Sequence, residues 1–182
     1  MDGTLINIRQ ETDEDHDAVR ALTVEAFESS DLGHNGEAEL IEVIRRHSPT
    51  CLSLVAEADL KVVGHVMFSP VRIVSDSEQF VGMGLGPMSV AVDYQGTGIG
   101  KRMIATGLQQ LMNSGCRFVV VLGHPDYYTR CGFVTASDHG IWHGFDGIPQ
   151  NVFFVWFNPN ENSNEITGNA YYNAGFGPQF ES

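Results

Sequence analysis

A chain of 182 residues, 42% of them hydrophobic and 10% aromatic, is long enough to bury one core without metals or disulfides. No apolar run approaches the ~20 residues that span a bilayer, so a soluble protein with no membrane partner is expected. The formal net charge of −13 opposes association with nucleic acid, whose phosphates call for a basic surface.

Residues 5–8 (LINI) alternate well enough for a first strand, and Thr12-Asp13 offers an N-cap ahead of an acidic helix start. Val19, Leu22 and Ala26 then recur at helical spacing, which predicts an amphipathic helix. A loop over residues 31–36 leads to a second predicted helix over 37–46, with Leu40, Ile41 and Ile44 as its apolar stripe and Pro49 as its stop. Strands are expected over 51–58, 61–74 and 80–92, joined by turns near Asp59 and at Ser75-Asp76-Ser77; such short connections make an antiparallel meander. After a glycine-rich loop comes a helix with Ile104, Leu108 and Leu111 on its inner face, ending near Gly115. The apolar run RFVVVL at 117–122 has the pattern of a buried parallel strand reached by a helical crossover. Pro125 suits the first turn of a short helix that Gly132 ends. Residues 137–150 read as loop and 151–157 as the last clear strand. The domain is expected over residues 1–158, followed by an Asn- and Gly-rich tail, 159–182, whose aromatic end AYYNAGFGPQF docks on the domain.

Three cysteines, Cys51, Cys116 and Cys131, are odd in number and form no C-x-x-C pair, so reduced thiols are expected rather than a disulfide framework or a zinc site. Among the scattered histidines only His139 and His143 have helical spacing, and Gly140 and Gly144 argue against a helix there; no metal site is expected. The opening residues, MDGTLINIRQETDEDHDAV, lack a basic segment followed by an apolar one, which points to the cytoplasm.

The chemistry concentrates at residues 93–102, DYQGTGIGKR. The P-loop pattern fails at Gln95 and Arg102, and the dinucleotide pattern that starts at Gly96 fails at Lys101. What remains is Q-x-x-G-x-G between a strand and a helix, an arrangement that turns successive backbone N–H groups and the positive helix end toward one point. From residue 94 to 137 the chain carries Lys101, Arg102, Arg117 and Arg130 against the single acid Asp126, a local balance of +3 in an acidic protein. A polyanion is the ligand that suits it.

This loop resembles that of the GNAT superfamily of acyl-CoA-dependent N-acyltransferases, whose [QR]-x-x-G-x-[GA] sequence it matches at Gln95, Gly98 and Gly100. YYTRCGF is similar to the family's L-Y-x-x-x-G-F signature, with Tyr128 five residues before Phe133. GLGPMSV, YQGTGIGKRMI and VLGHPDYYTRCGF together look like the YhbS-like branch of predicted acetyltransferases, over roughly residues 5–157. The resemblance implies an α/β (α+β) fold: one domain around a mixed central sheet, with an antiparallel meander, a parallel splayed strand pair and helices on both faces. It implies acetyl-CoA as donor, a small-molecule amine as acceptor, and a monomer or homodimer. By position, Met88, Ser89 and Val90 would offer main-chain bonds to the pantetheine arm. Gln95, Gly96, Thr97, Gly98, Ile99, Gly100 and Lys101 would hold the pyrophosphate, and Tyr128 would face the thioester and protonate the departing sulfur.

Two departures stand out. Val92 replaces a proline that the family often has, and residues 80–92 contain no acid where many members carry a glutamate that takes the amine's proton. Glu57, His65 and His124 are the other base candidates, and His124 is preferred because it sits at a strand end beside Tyr128. The missing acid also admits a different class of protein, a non-catalytic acyl-CoA-binding or sensing module of the same fold.

Overall fold

The computed structural model describes residues 5–28 and 36–172. Its contacts group into two compact units, Met1–Phe68 with Gly86–Gly107 and Ser69–Leu85 with Leu108–Ser182, and the boundaries fall inside elements that the chain runs through without a break.

The first unit holds β1 (Ile6–Gln10), α1 (His16–Glu28), α2 (Glu37–His47), β2 (Leu52–Ala58), the start of β3 (Lys61–Val74), the end of β4 (Gln79–Val90) and the start of α3 (Ile99–Asn113). β1 pairs antiparallel with β2 from Ile6↔Ala58 to Gln10↔Leu54, and β2 pairs antiparallel with β3 from Leu52↔Phe68 to Ala58↔Lys61. β1 extends two residues beyond the expected end because Arg9 is held by Asp15 at 2.7 Å and Glu57 at 2.9 Å, which keeps this charged position in the ladder. The same guanidinium holds the Asp15 carboxyl well below the usual carboxylate range. α1 buries Val19, Leu22 and Ala26 as the spacing required, together with Thr23. In α2 the buried stripe is Ala38, Ile41 and Ile44, whereas the expected Leu40 is only half-buried: the inner face is rotated toward the smaller residue.

Alternation along β3 separates two faces. Gly64 and Phe68 meet α3: a Cβ on Gly64 would stand 2.8 Å from Met103 Cε, and one on Gly107 would stand 2.3 Å from Phe68 Cε2. His65, on the opposite face, lies near Glu11, which pairs with Arg45 of α2. Two glycines therefore let α3 sit close on the strand, and that seat fixes where its N-terminus falls.

The second unit holds the remainder of β3, β4 and α3, then β5 (Phe118–Leu122), α4 (Pro125–Tyr128), β6 (Val134–Thr135), β7 (Ile141–His143), β8 (Phe153–Phe157) and β9 (Gly168–Tyr172). The apolar run makes β5 as expected, parallel to β4 at Met83↔Val119 and Gly84↔Val120 and buried from Phe118 to Val121. β8 lies antiparallel on its other side, from Phe118↔Phe157 to Leu122↔Phe153. Val71, Phe80, Phe118, Phe153, Ile166 and Tyr172 form the centre of this unit's core. α3 ends where expected: Gly115 takes φ +78°, and the Cys116 N–H donates to the Leu111 carbonyl at 3.0 Å.

The expected loop at 137–150 contains β7, a three-residue strand parallel to β9, and β9 itself pairs antiparallel with β3 from Val71↔Tyr172 to Val74↔Asn169. Neither short segment shows an alternation of its own; each is a strand because of its partner. Hydrogen bonding runs in the order β1-β2-β3-β4-β5-β8-β6, with β9 bonded to β3 and β7, so the sheet is mixed. The expected loop residues 31–35 and tail residues 173–182 lie outside the described residues. No helix among the described residues is long and apolar enough to cross a membrane.

Candidate active site

The chain leaves β4 through a single 3-10 turn, Val92–Tyr94, and enters α3 at Ile99. Between them, Gly96 and Gly98 take φ +72° and +88°, a left-handed conformation that side chains with a Cβ rarely adopt. The Gln95 side-chain amide donates to the Val90 carbonyl at 3.1 Å, and the Thr97 hydroxyl donates to the Tyr94 carbonyl at 2.6 Å, so two side chains pin the loop from within. The first helical bond at this end is Arg102 N–H to the Gly98 carbonyl, 3.0 Å. Consequently the six backbone N–H groups of residues 96–101 have no acceptor among the described residues. A Cβ added at Gly96 or Gly98 would meet nothing within 4 Å. The loop is thus a nest of donors at a helix N-terminus with clear space above it, which is what a pyrophosphate requires. Lys101 is exposed beside it, whereas Arg102 is turned away and donates to the Ile6 carbonyl at 3.0 Å.

Met88 and Val90 are half-buried in the strand that leads into the loop, and the buried Ser89 lies 3.3 Å from the Thr23 hydroxyl of α1. Ser89 thereby ties β4 to α1. The Val90 carbonyl is already engaged by Gln95, which leaves it one lone pair.

In the second unit Pro125 opens α4, and the chain leaves through the 3-10 turn Thr129–Cys131 and Gly132, whose φ is +88°. Tyr128 is buried, its ring edge-on to Tyr127 at 5.2 Å and to Phe133 at 5.7 Å and stacked near Phe154 at 6.4 Å. Its seat depends on Gly123, a residue that sequence reasoning missed: a Cβ there would stand 2.2 Å from Tyr128 Cε2. The signal available was a glycine directly after the apolar run VVVL. No hydrogen bond joins the Tyr128 hydroxyl to a described residue. Burial pushes its ionisation well above the ordinary phenol value, so it stays protonated at neutral pH.

The three base candidates fare differently. Glu57 is engaged by Arg9 through both Nε and Nη2. His65 is fully buried, 2.9 Å from the Ser53 hydroxyl, and burial lowers its pKa to about 4. Its neighbours Glu11, Arg45 and Ser53 were not foreseen, since nothing in sequence spacing links residues so far apart. His124 is exposed at the start of α4, one turn before Tyr128, whose N–H donates to the His124 carbonyl at 3.2 Å. Among the described residues no group of three or more His, Cys, Asp or Glu side chains could hold a metal ion.

A strand, a donor nest and a helix start in this order make an anion site, and residues 7–136 match the acetyltransferase (GNAT) domain. The chain belongs to the GNAT family and, as a member of it, is an acetyl-CoA-dependent N-acyltransferase. It is 34% identical over 170 residues to the uncharacterised N-acetyltransferase YhbS of Escherichia coli K12, which spans 93% of this chain and 97% of that protein. The crystal structure of Escherichia coli YhbS in complex with CoA superposes with a TM-score of 0.85 at 31% identity, over 97% of this chain and 94% of that one. A GNAT family acetyltransferase from Brucella melitensis, solved with acetyl-CoA, gives 0.77 at 33% identity, over 96% and 99%.

Proposed function

We propose that the protein moves the acetyl group of acetyl-CoA onto a primary amine by direct attack in a ternary complex. The observation that carries this reading is the run of six backbone N–H groups over residues 96–101 that have no acceptor among the described residues. Gln95 and Thr97 hold that loop in shape before any ligand arrives, so little ordering remains to be done on binding. Lys101 adds a cation, and the backbone of Met88, Ser89 and Val90 receives the pantetheine arm.

Acetyl-CoA supplies an activated thioester, and the protein's share of the chemistry is positioning and proton movement. The Tyr128 hydroxyl holds its proton at neutral pH and gives it to the departing sulfur. His124, exposed and one turn away, takes the proton of the attacking amine directly or through water. The acceptor is a small amine rather than nucleic acid, in keeping with the net charge of −13. We place the protein in the cytoplasm, as a monomer or homodimer.

Calorimetry with acetyl-CoA tests this reading. One-to-one binding that is lost on substitution of the loop glycines supports it, and the absence of binding overturns it.

A further inference from the structure

The tip of the β2–β3 hairpin is a two-residue turn with an unusual residue in its second position. Ala58 pairs with Lys61, which leaves the two-residue turn Asp59-Leu60 with φ +49° and +64°. Such turns need a left-handed backbone at both positions, which Asp59 tolerates and which favours glycine over a residue like Leu60 at the second. Leu60 is nevertheless 92% exposed, so no packing of its side chain offsets the strain.

Where this tip lies follows from bonds within the first unit. Arg102 in the first turn of α3 donates to the Ile6 carbonyl at 3.0 Å, Ile6 pairs with Ala58, and Ala58 pairs with Lys61. From the other side, the Ala91 N–H, just before the donor loop, donates to the Val63 carbonyl at 2.9 Å. The contacts of Met103 with Gly64 and of Gly107 with Phe68 run α3 along β3 in the same direction, so one turn back from Met103 the helix start reaches the first residues of β3. The hairpin tip and the donor nest therefore share one end of the unit.

Lys61 is exposed there and has no ion pair with a described residue. Among the described residues, the acids nearest this end are Asp59, Asp93 and Glu57, the last held by Arg9, and Arg102 is committed to Ile6. Among the described residues, that leaves Lys61 and Lys101 as the available cations of this corner.

We propose that the β2–β3 tip is the contact for the adenosine 3′-phosphate of the acyl donor, with Lys61 as the cation that recognises it. This rests on the reading that the 96–101 loop holds the pyrophosphate. In CoA the 3′-phosphate is one sugar away from the pyrophosphate, and its two negative charges suit a flexible ammonium on a rigid turn. Lys101 serves the pyrophosphate common to all CoA forms, and Lys61 serves the group that distinguishes CoA from 3′-dephospho-CoA.

The experiment is calorimetric titration of the full chain with CoA and with 3′-dephospho-CoA, for the parent, Lys61→Gln and Lys101→Gln. The parent is expected to prefer CoA. Lys61→Gln should weaken CoA binding roughly three- to tenfold, leave 3′-dephospho-CoA unchanged, and so remove the preference; higher salt should shrink the parent's preference in the same way. Lys101→Gln should weaken both ligands alike. An unchanged CoA affinity in Lys61→Gln, or an equal loss for both ligands, overturns the assignment while leaving the donor nest standing. If the parent binds neither ligand, the pyrophosphate reading fails and this one falls with it. Lys61 is exposed on a turn, so a melting temperature equal to the parent's is expected for Lys61→Gln.

Discussion

Substitution of Gly98 by alanine separates a backbone effect from a ligand effect. Gly98 has φ +88°, and placing a residue with a Cβ in the left-handed region costs about 1–2 kcal/mol whatever surrounds it. A Cβ at Gly98 meets no protein atom within 4 Å, so strain is the whole cost to the protein. Gly115, at the far end of α3, provides the control, with φ +78° and equally open space. Both alanine variants should therefore lose similar stability, roughly 2–4 °C in melting temperature per kcal/mol for a chain of this size. Only Gly98→Ala places a methyl group within the donor loop, in space that no protein atom fills. Displacing a phosphate oxygen from one backbone N–H forfeits a charge-assisted hydrogen bond of about 1.5–3 kcal/mol, so acetyl-CoA affinity should drop roughly 10- to 100-fold. Differential scanning fluorimetry reads the first quantity and calorimetry the second. Refutation would be a Gly98→Ala variant that loses stability like Gly115→Ala yet binds acetyl-CoA as the parent does.

Tyr128→Phe keeps the packed ring and removes a hydroxyl with no described partner, so the melting temperature should hold while kcat falls ~10²- to 10⁴-fold at unchanged acetyl-CoA affinity; full activity at saturating substrates would make Tyr128 structural. Gly123→Ala sets a Cβ 2.2 Å from the Tyr128 ring and should cost roughly 1–3 kcal/mol as well as activity, and an unchanged melting temperature would contradict that seat. His65, packed against Ser53, Glu11 and Arg45, has a folded pKa of about 4, below its ordinary value, so the unfolded chain binds the proton first as pH falls. Its contribution is complete above about pH 6.5 and is lost on acidification toward about pH 4, up to about 3 kcal/mol; a His65→Gln variant should lose less stability than the parent across that interval, and parallel curves would refute the assignment. Residues 1–50 carry twelve acids against four lysines and arginines, so kcat/KM for a cationic amine should decline as salt rises; no salt dependence would exclude steering.

What the sequence revealed and what it hid have physical causes. The donor loop was legible because each of its demands is met locally: glycines where φ is positive, and Gln95 and Thr97 within five residues of the carbonyls they bond. β5 was legible because burial on both faces leaves an uninterrupted apolar run. β7 and β9 were not, since a three- or five-residue strand defined by its partner carries no period of its own. Arg9 and His65 hid for a related reason. The partners of Arg9 are six and 48 residues away, and His65 reaches Ser53 twelve residues away, and no periodicity encodes such pairings. Tyr128 was readable as a core aromatic or as an acid, and its geometry explains the ambiguity: the ring is packed and the hydroxyl is free of described partners.

The central claim is that this chain turns over acetyl-CoA rather than only binding it, although residues 80–92 contain no acid to act as base. The direct measurement is release of free thiol from acetyl-CoA in the presence of a panel of primary amines, with mass spectrometry of the amines. The account predicts amine-dependent thiol release matched by an acetylated amine. Tight CoA binding with no thiol released above the amine-free rate, across a panel of cationic and neutral amines, would contradict it and make the protein an acyl-CoA sensor.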